Sequence, residues 1–493
     1  MNKRWLVFST AICFLFATII GRLGYIMFSG DFAVSSSHNS YTLDIDRIYP
    51  TVYDRSLSKI TNKTDTLYAV IRPNEKCLAE LNSLFDYNER NEIIDELKQG
   101  YPVIREIDNY VKCKYIKIFE TTKRHDDDLL SSHIIASCEK IYSDEVGSKS
   151  INFAVDAIGR LLDGDEGTII ENNYNSKYGV SLTIDSKIQK EAELAAKSML
   201  KGAVVVLDTE TSEVLASYSK PNDYLNRAFS SYSVGSVYKL VVAAAALEGG
   251  INETYECVGE ITVRDTTFAC QKNKKHGKQT IKEALANSCN CYFVDLALKL
   301  GAEKITEVSE KLGFGDETVF NEEWKFTNGN FPDLDFLKSK GQLALLGFGQ
   351  GSLTATPLHF CSVVAAIANG GIYTPPSLIL GEVDNNGNLI GKDKNKPSRA
   401  MSEKTAETLR EYMRYVVTNG TGMAAEYNNN SAGKTSTAES GIYVENKEIL
   451  NTWFAGFYPY DNPKYAIVVL TEDGVSGSTD CCPVFRTIVE NIG

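Results

Sequence analysis

GSVYKLVVAAAALEGG, residues 235–250, puts a serine and a lysine three positions apart at the head of an apolar run. Val237 to Leu247 reads as a helix, and Gly249 and Gly250 stop it. Residues three apart share one helical face, so Lys239 reaches the Ser236 hydroxyl. The helix N-terminus favours negative charge developing on that oxygen. A neutral lysine so placed serves as general base to a serine nucleophile. Taken alone, Ser236-Val237-Tyr238-Lys239 has a plain alternative, a serine cap followed by a surface lysine. The surrounding sequence decides between the two.

Upstream, Val180 to Asp185 reads as a strand ending in a capping residue. Ile188 to Leu200 carries apolar residues at helical spacing, and Ala203–Leu207 with Val214–Tyr218 flanks a polar turn as a β-hairpin. Downstream, Trp453–Tyr458 and Tyr465–Leu470 read as strands, and a last helix lies near Val484–Asn491. Strands at both ends with helices between predict an α+β fold, a sheet covered by helices. From residue 29 to 165 the texture is Ser, Asp, Lys and Tyr rich, and Leu67–Ile71 and Tyr115–Phe119 read as exposed strands. His125 with Asp126, Asp127 and Asp128 reads as an acidic loop rather than a metal site, because no further carboxylates stand at set spacing.

A content of 43% hydrophobic and 23% charged residues is that of folded globular protein, which excludes a disordered chain. The net charge of −13, with no long basic run to offset it, excludes nucleic acid as a main partner. The short stretch Lys272 to Lys278 is broken by Asn273, His276 and Gly277 and reads as a solvated loop. At the N-terminus, Lys3 and Arg4 precede an apolar run from Trp5 to Gly21. Arg22 and a second apolar patch, Leu23–Phe28, follow. This predicts residues 1–28 to be a cytoplasmic tip and a single transmembrane helix, with everything after Phe28 outside the cell. A cleaved signal peptide is the rival, disfavoured because no small-x-small site follows the run closely.

Two later motifs bear on Ser236. Ser288-Cys289-Asn290 follows it, and Ala432-Gly433-Lys434-Thr435-Ser436-Thr437-Ala438 forms a small-residue strand with one cation and two hydroxyls near the end. Ser-x-x-Lys, Ser-x-Asn and Lys-Thr-Gly in this order resemble the motif set of penicillin-binding proteins and serine β-lactamases. The resemblance extends through GAVVVLDTETSEVLASY (202–218), Asn226-Arg227-Ala228, Gly349-Gln350-Gly351, Thr356-Pro357-Leu358, Asn369-Gly370-Gly371 and Thr452-Trp453-Phe454-Ala455-Gly456-Phe457. Tyr49 to Asn62, above all Tyr53-Asp54-Arg55, is similar to the start of the pedestal that class B members carry. The domains implied are an anchor over 1–28, a β-rich pedestal over 29–178 and a penicillin-binding transpeptidase domain over 179–493.

The resemblance implies a D,D-transpeptidase. In such an enzyme Ser236 attacks the penultimate D-alanine carbonyl of a peptidoglycan stem peptide and Lys239 takes the serine proton. Ser288 and Asn290 relay protons and hold the donor amide, and Lys434, Thr435, Ser436 and Thr437 bind the substrate. The backbone amides of Ser236 and Thr437 form the oxyanion hole. β-Lactam antibiotics are then expected to trap Ser236, and a membrane glycosyltransferase is the expected partner. Ser436 departs from the family's glycine and is expected to add bulk beside the substrate channel, either as a tolerated substitution or with loss of turnover. The rival functions are a membrane-bound β-lactam sensor, a serine β-lactamase, or a weakly active scaffold for the glycosyltransferase.

Eleven cysteines, an odd number that includes the vicinal pair Cys481 and Cys482, do not form a disulfide framework. Cys257, Cys270, His276 and Cys289 are a full tetrahedral ligand set for structural Zn2+. This set resembles a metal site of some class B penicillin-binding proteins, in which a ligand follows the motif serine and a His-Gly pair lies upstream. The alternatives are a Cys257–Cys270 disulfide, or a buried filler at Cys289 with loop thiols elsewhere, and Cys291 is a substitute for Cys289. His359, Cys361 and Cys13 lie in apolar segments and read as packing residues.

Overall fold

The computed structural model describes residues 3–28, 40–126, 129–156, 158–162, 164–391 and 395–493. Asp127 and Asp128 of the expected acidic loop lie outside the described residues, while His125 Nε2 meets Glu139 Oε1 at 2.5 Å. The chain divides into two compact units, one of Met1–Arg47, Thr66–Thr121 and Ser148–Asn172, the other of Ile48–Asp65, Thr122–Gly147 and Asn173–Gly493. The division follows contacts rather than chain order. The Tyr53-Asp54-Arg55 stretch belongs to the second unit, where Thr51–Tyr53 runs parallel to Gly179–Leu182.

In the first unit, Lys3–Phe28 forms one helix, along which side chains are described for Trp5, 8–22 and Tyr25. Among the described residues no helix is long and apolar enough to cross a membrane. The stretches expected as exposed strands are partly buried. Thr64–Ile71 is the middle strand of three, between Val103–Ile107 and Lys117–Lys123. Ala69 and Ile71 pack with Cys77, Leu81, Ile93 and Ile107. The helices Glu75–Glu80 and Tyr87–Leu97 supply part of that core. The second helix starts at a capping box in which Asp86 and Glu89 exchange hydrogen bonds. Val70 and Phe119, on the opposite face of these strands, pack into a second small core with Ile45, Ile151 and Phe153, and short apolar stretches among polar residues concealed both cores.

The second unit is built on five antiparallel strands, numbered here along the chain. They are β1 (Gly202–Asp208), β2 (Val214–Lys220), β3 (Ala432–Val444), β4 (Lys447–Tyr458) and β5 (Tyr465–Glu472), in the order β2-β1-β5-β4-β3. Strand β1 is apolar at nearly every position because both its faces are covered. Ala203, Val205 and Leu207 enter the large core shared with helices α1 (Lys239–Glu248), α2 (Asn290–Leu300) and α3 (Pro357–Ala368). Val204 and Val206 enter a second core with helices Ser186–Ala195 and Cys482–Ile492. Asp185 caps the first of these two helices, as its position in the sequence predicts. The predicted helix Ile188–Leu200 ends earlier, at Ala195, and passes into a 3-10 turn. Strand β3 lies at the sheet edge, paired among the described residues on its β4 side alone.

Candidate active site

Ser236 does not open an α-helix. It sits on a 3-10 turn, Gly235–Tyr238, that feeds α1 at Lys239. The turn begins at Gly235 with φ +56, a conformation that glycine adopts without the Cβ penalty. A Cβ there would also fall 2.6 Å from Ser436 Oγ. Gly349, singled out in the sequence without a reason, packs backbone to backbone on the same spot. Its own Cβ would lie 1.9 Å from the Gly235 carbonyl oxygen, and the Gly235 N–H donates to Gly349 O at 2.9 Å.

Lys239 is fully buried, and its Nζ lies 3.0 Å from Ser236 Oγ, 2.8 Å from Ser288 O and 2.7 Å from Asn290 Oδ1. Burial strips water from the ammonium and pulls its pKa down to about 8, against the opposing pull of the Cys289, Cys270 and Cys291 thiols. A neutral amine has two N–H bonds and one lone pair. With the carbonyl oxygens of Ser288 and Asn290 taking the two hydrogens, the lone pair is left for the Ser236 hydroxyl. Two carbonyl acceptors thereby orient the base.

The second motif turns on Ser288, whose φ of +53 is a strained conformation for a residue with a side chain. It joins helix Ile281–Ala286, begun at the Thr280 and Glu283 capping box, to α2. Cys289 caps α2 by accepting from Tyr292 N at 3.4 Å, and Asn290 Nδ2 donates to Ala269 O at 2.9 Å. Lys434 arrives from the edge strand β3, fully buried, and donates to Ser288 Oγ at 3.1 Å and to Thr435 O at 2.8 Å. Burial first, and then the neighbouring Lys239 charge, depress its pKa. Ser288 Oγ thus stands between two amines, 3.4 Å from Lys239 Nζ on its other side.

Of the remaining third-motif residues, Thr435 Oγ1 pairs with Thr421 Oγ1 at 2.6 Å, and Thr437 is half-buried on β3. Ser436 turns its hydroxyl onto Val234 O at 2.7 Å and is buried. Thr421 and the Trp453 indole, which donates to Ser233 O at 3.0 Å, were not foreseen as site residues. A threonine between two glycines was the only signal for the first. For the second there was only its place in the stretch Thr452 to Phe457, which resembles the transpeptidase domain. His359 is a core residue, as expected, with Nε2 on Leu312 O at 2.9 Å and a pKa pushed down to about 4 by burial.

All four expected metal ligands converge. The donor atoms of Cys257, Cys270, His276 and Cys289 lie within 4.8 Å of one another. Adjacent separations are 3.7 Å for Cys257–Cys270, 3.6 Å for Cys270–Cys289 and 3.5 Å for Cys257 Sγ to His276 Nδ1. A tetrahedron with the usual zinc–sulfur and zinc–nitrogen bond lengths has edges of about 3.5–3.8 Å, so three thiols and an imidazole are donors that suit zinc and these three separations match its edges. All eleven cysteines are free, so Cys257 and Cys270 are not joined in a disulfide. Cys291 Sγ also approaches Cys270, at 3.4 Å. Hydrogen bonds from the Cys289 and Cys291 thiols favour the thiolate at Cys270, and the same contact raises the Cys289 pKa.

Residues 202–490 match the family model described as the penicillin-binding protein transpeptidase domain. Stage V sporulation protein D of Bacillus subtilis is 31% identical over 396 residues, 72% of this chain and 59% of that protein. Penicillin-binding protein PbpB of Mycolicibacterium smegmatis is 30% identical, and the match takes in 66% of this chain and 57% of that protein. The chain therefore spans under two thirds of the length of these relatives. Among solved structures, the penicillin G acyl-enzyme complex of penicillin-binding protein A from M. tuberculosis superposes with a TM-score of 0.57 at 25% identity. That similarity covers 64% of this chain and 80% of the other. The match to the family model takes in more than half of the chain and carries all three motifs, so the chain belongs to the penicillin-binding protein transpeptidase domain family.

Proposed function

We propose that the protein is a serine-type D,D-transpeptidase of peptidoglycan synthesis. The observation that carries this reading is the Lys239 amine, buried and held between two carbonyl oxygens with Ser236 Oγ 3.0 Å away. Ser236 Oγ attacks the carbonyl of the penultimate D-alanine of a stem peptide while its proton passes to Lys239. The bond to the terminal D-alanine then breaks, and its nitrogen leaves with a proton delivered through Ser288 Oγ, which stands between Lys239 and Lys434. An amine of a neighbouring strand takes the acyl group by the reverse sequence and closes the cross-link. Lys434 and Thr435 hold the substrate carboxylate, Thr437 lines the channel, and the Ser236 and Thr437 amides face the developing oxyanion. β-Lactams acylate the same oxygen.

Lys3–Phe28 anchors the chain in the cell membrane, with the catalytic unit outside and a membrane glycosyltransferase as partner. The apolar run Trp5–Gly21 bounded by Lys3, Arg4 and Arg22, and the exposed apolar side chains of Trp5, Phe14 and Ile20, support this. Cys257, Cys270, His276 and Cys289 hold a structural zinc ion, which when bound fixes the segment carrying Ser288 and Asn290. Elemental analysis of protein purified without a His-tag or chelator checks the metal. About one equivalent is expected, and less than a tenth removes the claim. For the enzyme, the test is labelling by a fluorescent penicillin. Native protein takes one label, and Ser236→Ala takes none. Label on the alanine variant refutes the nucleophile, and a native protein that takes none is no transpeptidase. Digests of uncross-linked glycan incubated with the protein, read by mass spectrometry, identify the acceptor amine.

A further inference from the structure

Ser436 stands where the third motif of the family has glycine, and its hydroxyl is not free to meet a ligand. It is donated to the carbonyl of Val234, two residues before the nucleophile, at 2.7 Å, and the residue is 2% exposed. Its cross-strand partner on β4 is Trp453. Directly paired residues of an antiparallel ladder project from the same face of the sheet. Here the two side chains grip consecutive carbonyls, with Trp453 Nε1 on Ser233 O at 3.0 Å and Ser436 Oγ on Val234 O. The next backbone group, the Gly235 N–H, is taken by Gly349 O at 2.9 Å. Both carbonyls of Ser233 and Val234 and the N–H of Gly235, ahead of Ser236, therefore have protein partners.

The space for the extra hydroxyl comes from Gly235, where any Cβ would fall 2.6 Å from Ser436 Oγ. Strand β3 is hemmed in from another side by Gly477, whose own Cβ would fall 2.7 Å from Ser436 O. A glycine at 436 would remove the donor to Val234 O and leave a gap against Gly235, loosening the turn that aims the nucleophile.

We propose that Ser436 is a positioning residue that clamps the Val234–Ser236 backbone and so holds Ser236 Oγ on Lys239. It acts on the rate of acylation and not on ligand affinity. The inference rests on the acyl-transfer reading of the site. Progress curves of the full-length protein with a fluorescent penicillin separate the acylation rate constant from the dissociation constant of the preceding complex. Ser436→Ala and Ser436→Gly should each lower the rate constant about tenfold, the size expected when one buried hydrogen bond is lost. The dissociation constant should stay within twofold. The rate constant is read per labelled molecule, so a fraction that fails to fold alters only the amplitude, and the glycine variant carries the residue usual in the family. Weaker binding at an unchanged rate constant would make Ser436 a substrate contact and overturn the proposal. Both constants unchanged would overturn it as well. A native protein that takes no label fails at the earlier step and overturns the acyl-transfer reading itself, a result distinct from labelled variants that match the native rate.

Discussion

The nucleophile turn and the cysteine cluster meet at Ser288–Asn290 and are held in opposite ways. Around Ser236, the carbonyls of Ser233 and Val234 and the N–H of Gly235 have protein partners, and two glycines pack backbone on backbone. That corner is self-sufficient. The cysteine cluster draws on Tyr255–Cys257, the Cys270 turn, His276 just ahead of the strand Gly277–Gln279, and the cap of α2, all short pieces. Thiols are weak donors and acceptors, so sulfur-to-sulfur hydrogen bonds hold such pieces poorly. Metal coordination would hold them well. The candidate site is thus divided, with one half secured by backbone packing and the other resting on sulfur contacts that a bound metal would reinforce.

The largest way to break the self-sufficient half is Lys239→Met, which keeps the bulk and deletes the base. Acylation by a fluorescent penicillin should fall about 10²–10⁴-fold, the range for losing a general base. An unchanged rate constant would transfer the base role elsewhere. The conditional half should respond to chelation. Prolonged treatment with a zinc chelator should slow acylation about 10–100-fold and lower the thermal midpoint, with recovery on adding Zn2+. Resistance of both readouts in a protein shown to have lost its metal would uncouple the cluster from Ser288. The mildest probe is pH. Burial lowers the Lys239 pKa to about 8, so the neutral base is plentiful above that value and scarce below it. Acylation should rise about tenfold per unit up to pH 8 and then level off. A rate flat from pH 6 to 9 would mean that proton transfer to Lys239 does not limit the step.

Much of the site was legible before the fold. Spacing picks out Ser236 and Lys239, the resemblance of the ordered motifs adds Ser288, Asn290, Lys434 and Thr435, and the fold brings all six together. The four metal candidates converge as well, although no local pattern links Cys257 to Cys289. The orientation of Ser436 was not legible. Bulk beside the channel was the expectation, and strand register with Trp453 sends the hydroxyl to Val234 instead. Thr421 was missed because its contact with Thr435 joins the end of a helix to a strand. The 3-10 turn at Ser236 was missed because apolar periodicity marks a buried helix without revealing how its first turn is wound.

The sequence alone pointed to the chemistry, because Ser236 to Lys239, Ser288 to Asn290 and Lys434 to Ser436 stand in the order in which they resemble the motifs of penicillin-binding proteins. It also determined the elements whose period was unbroken, such as the hairpin of β1 and β2 and the apolar helix after Ser236. The tertiary structure decided which atoms serve that chemistry. Desolvation brings Lys239 to about 8, edge placement of β3 delivers Lys434 to Ser288, and cross-strand register aims Ser436 at the nucleophile turn. Burial, sheet order and register arise from contacts between residues far apart in the chain, and no local pattern carries them.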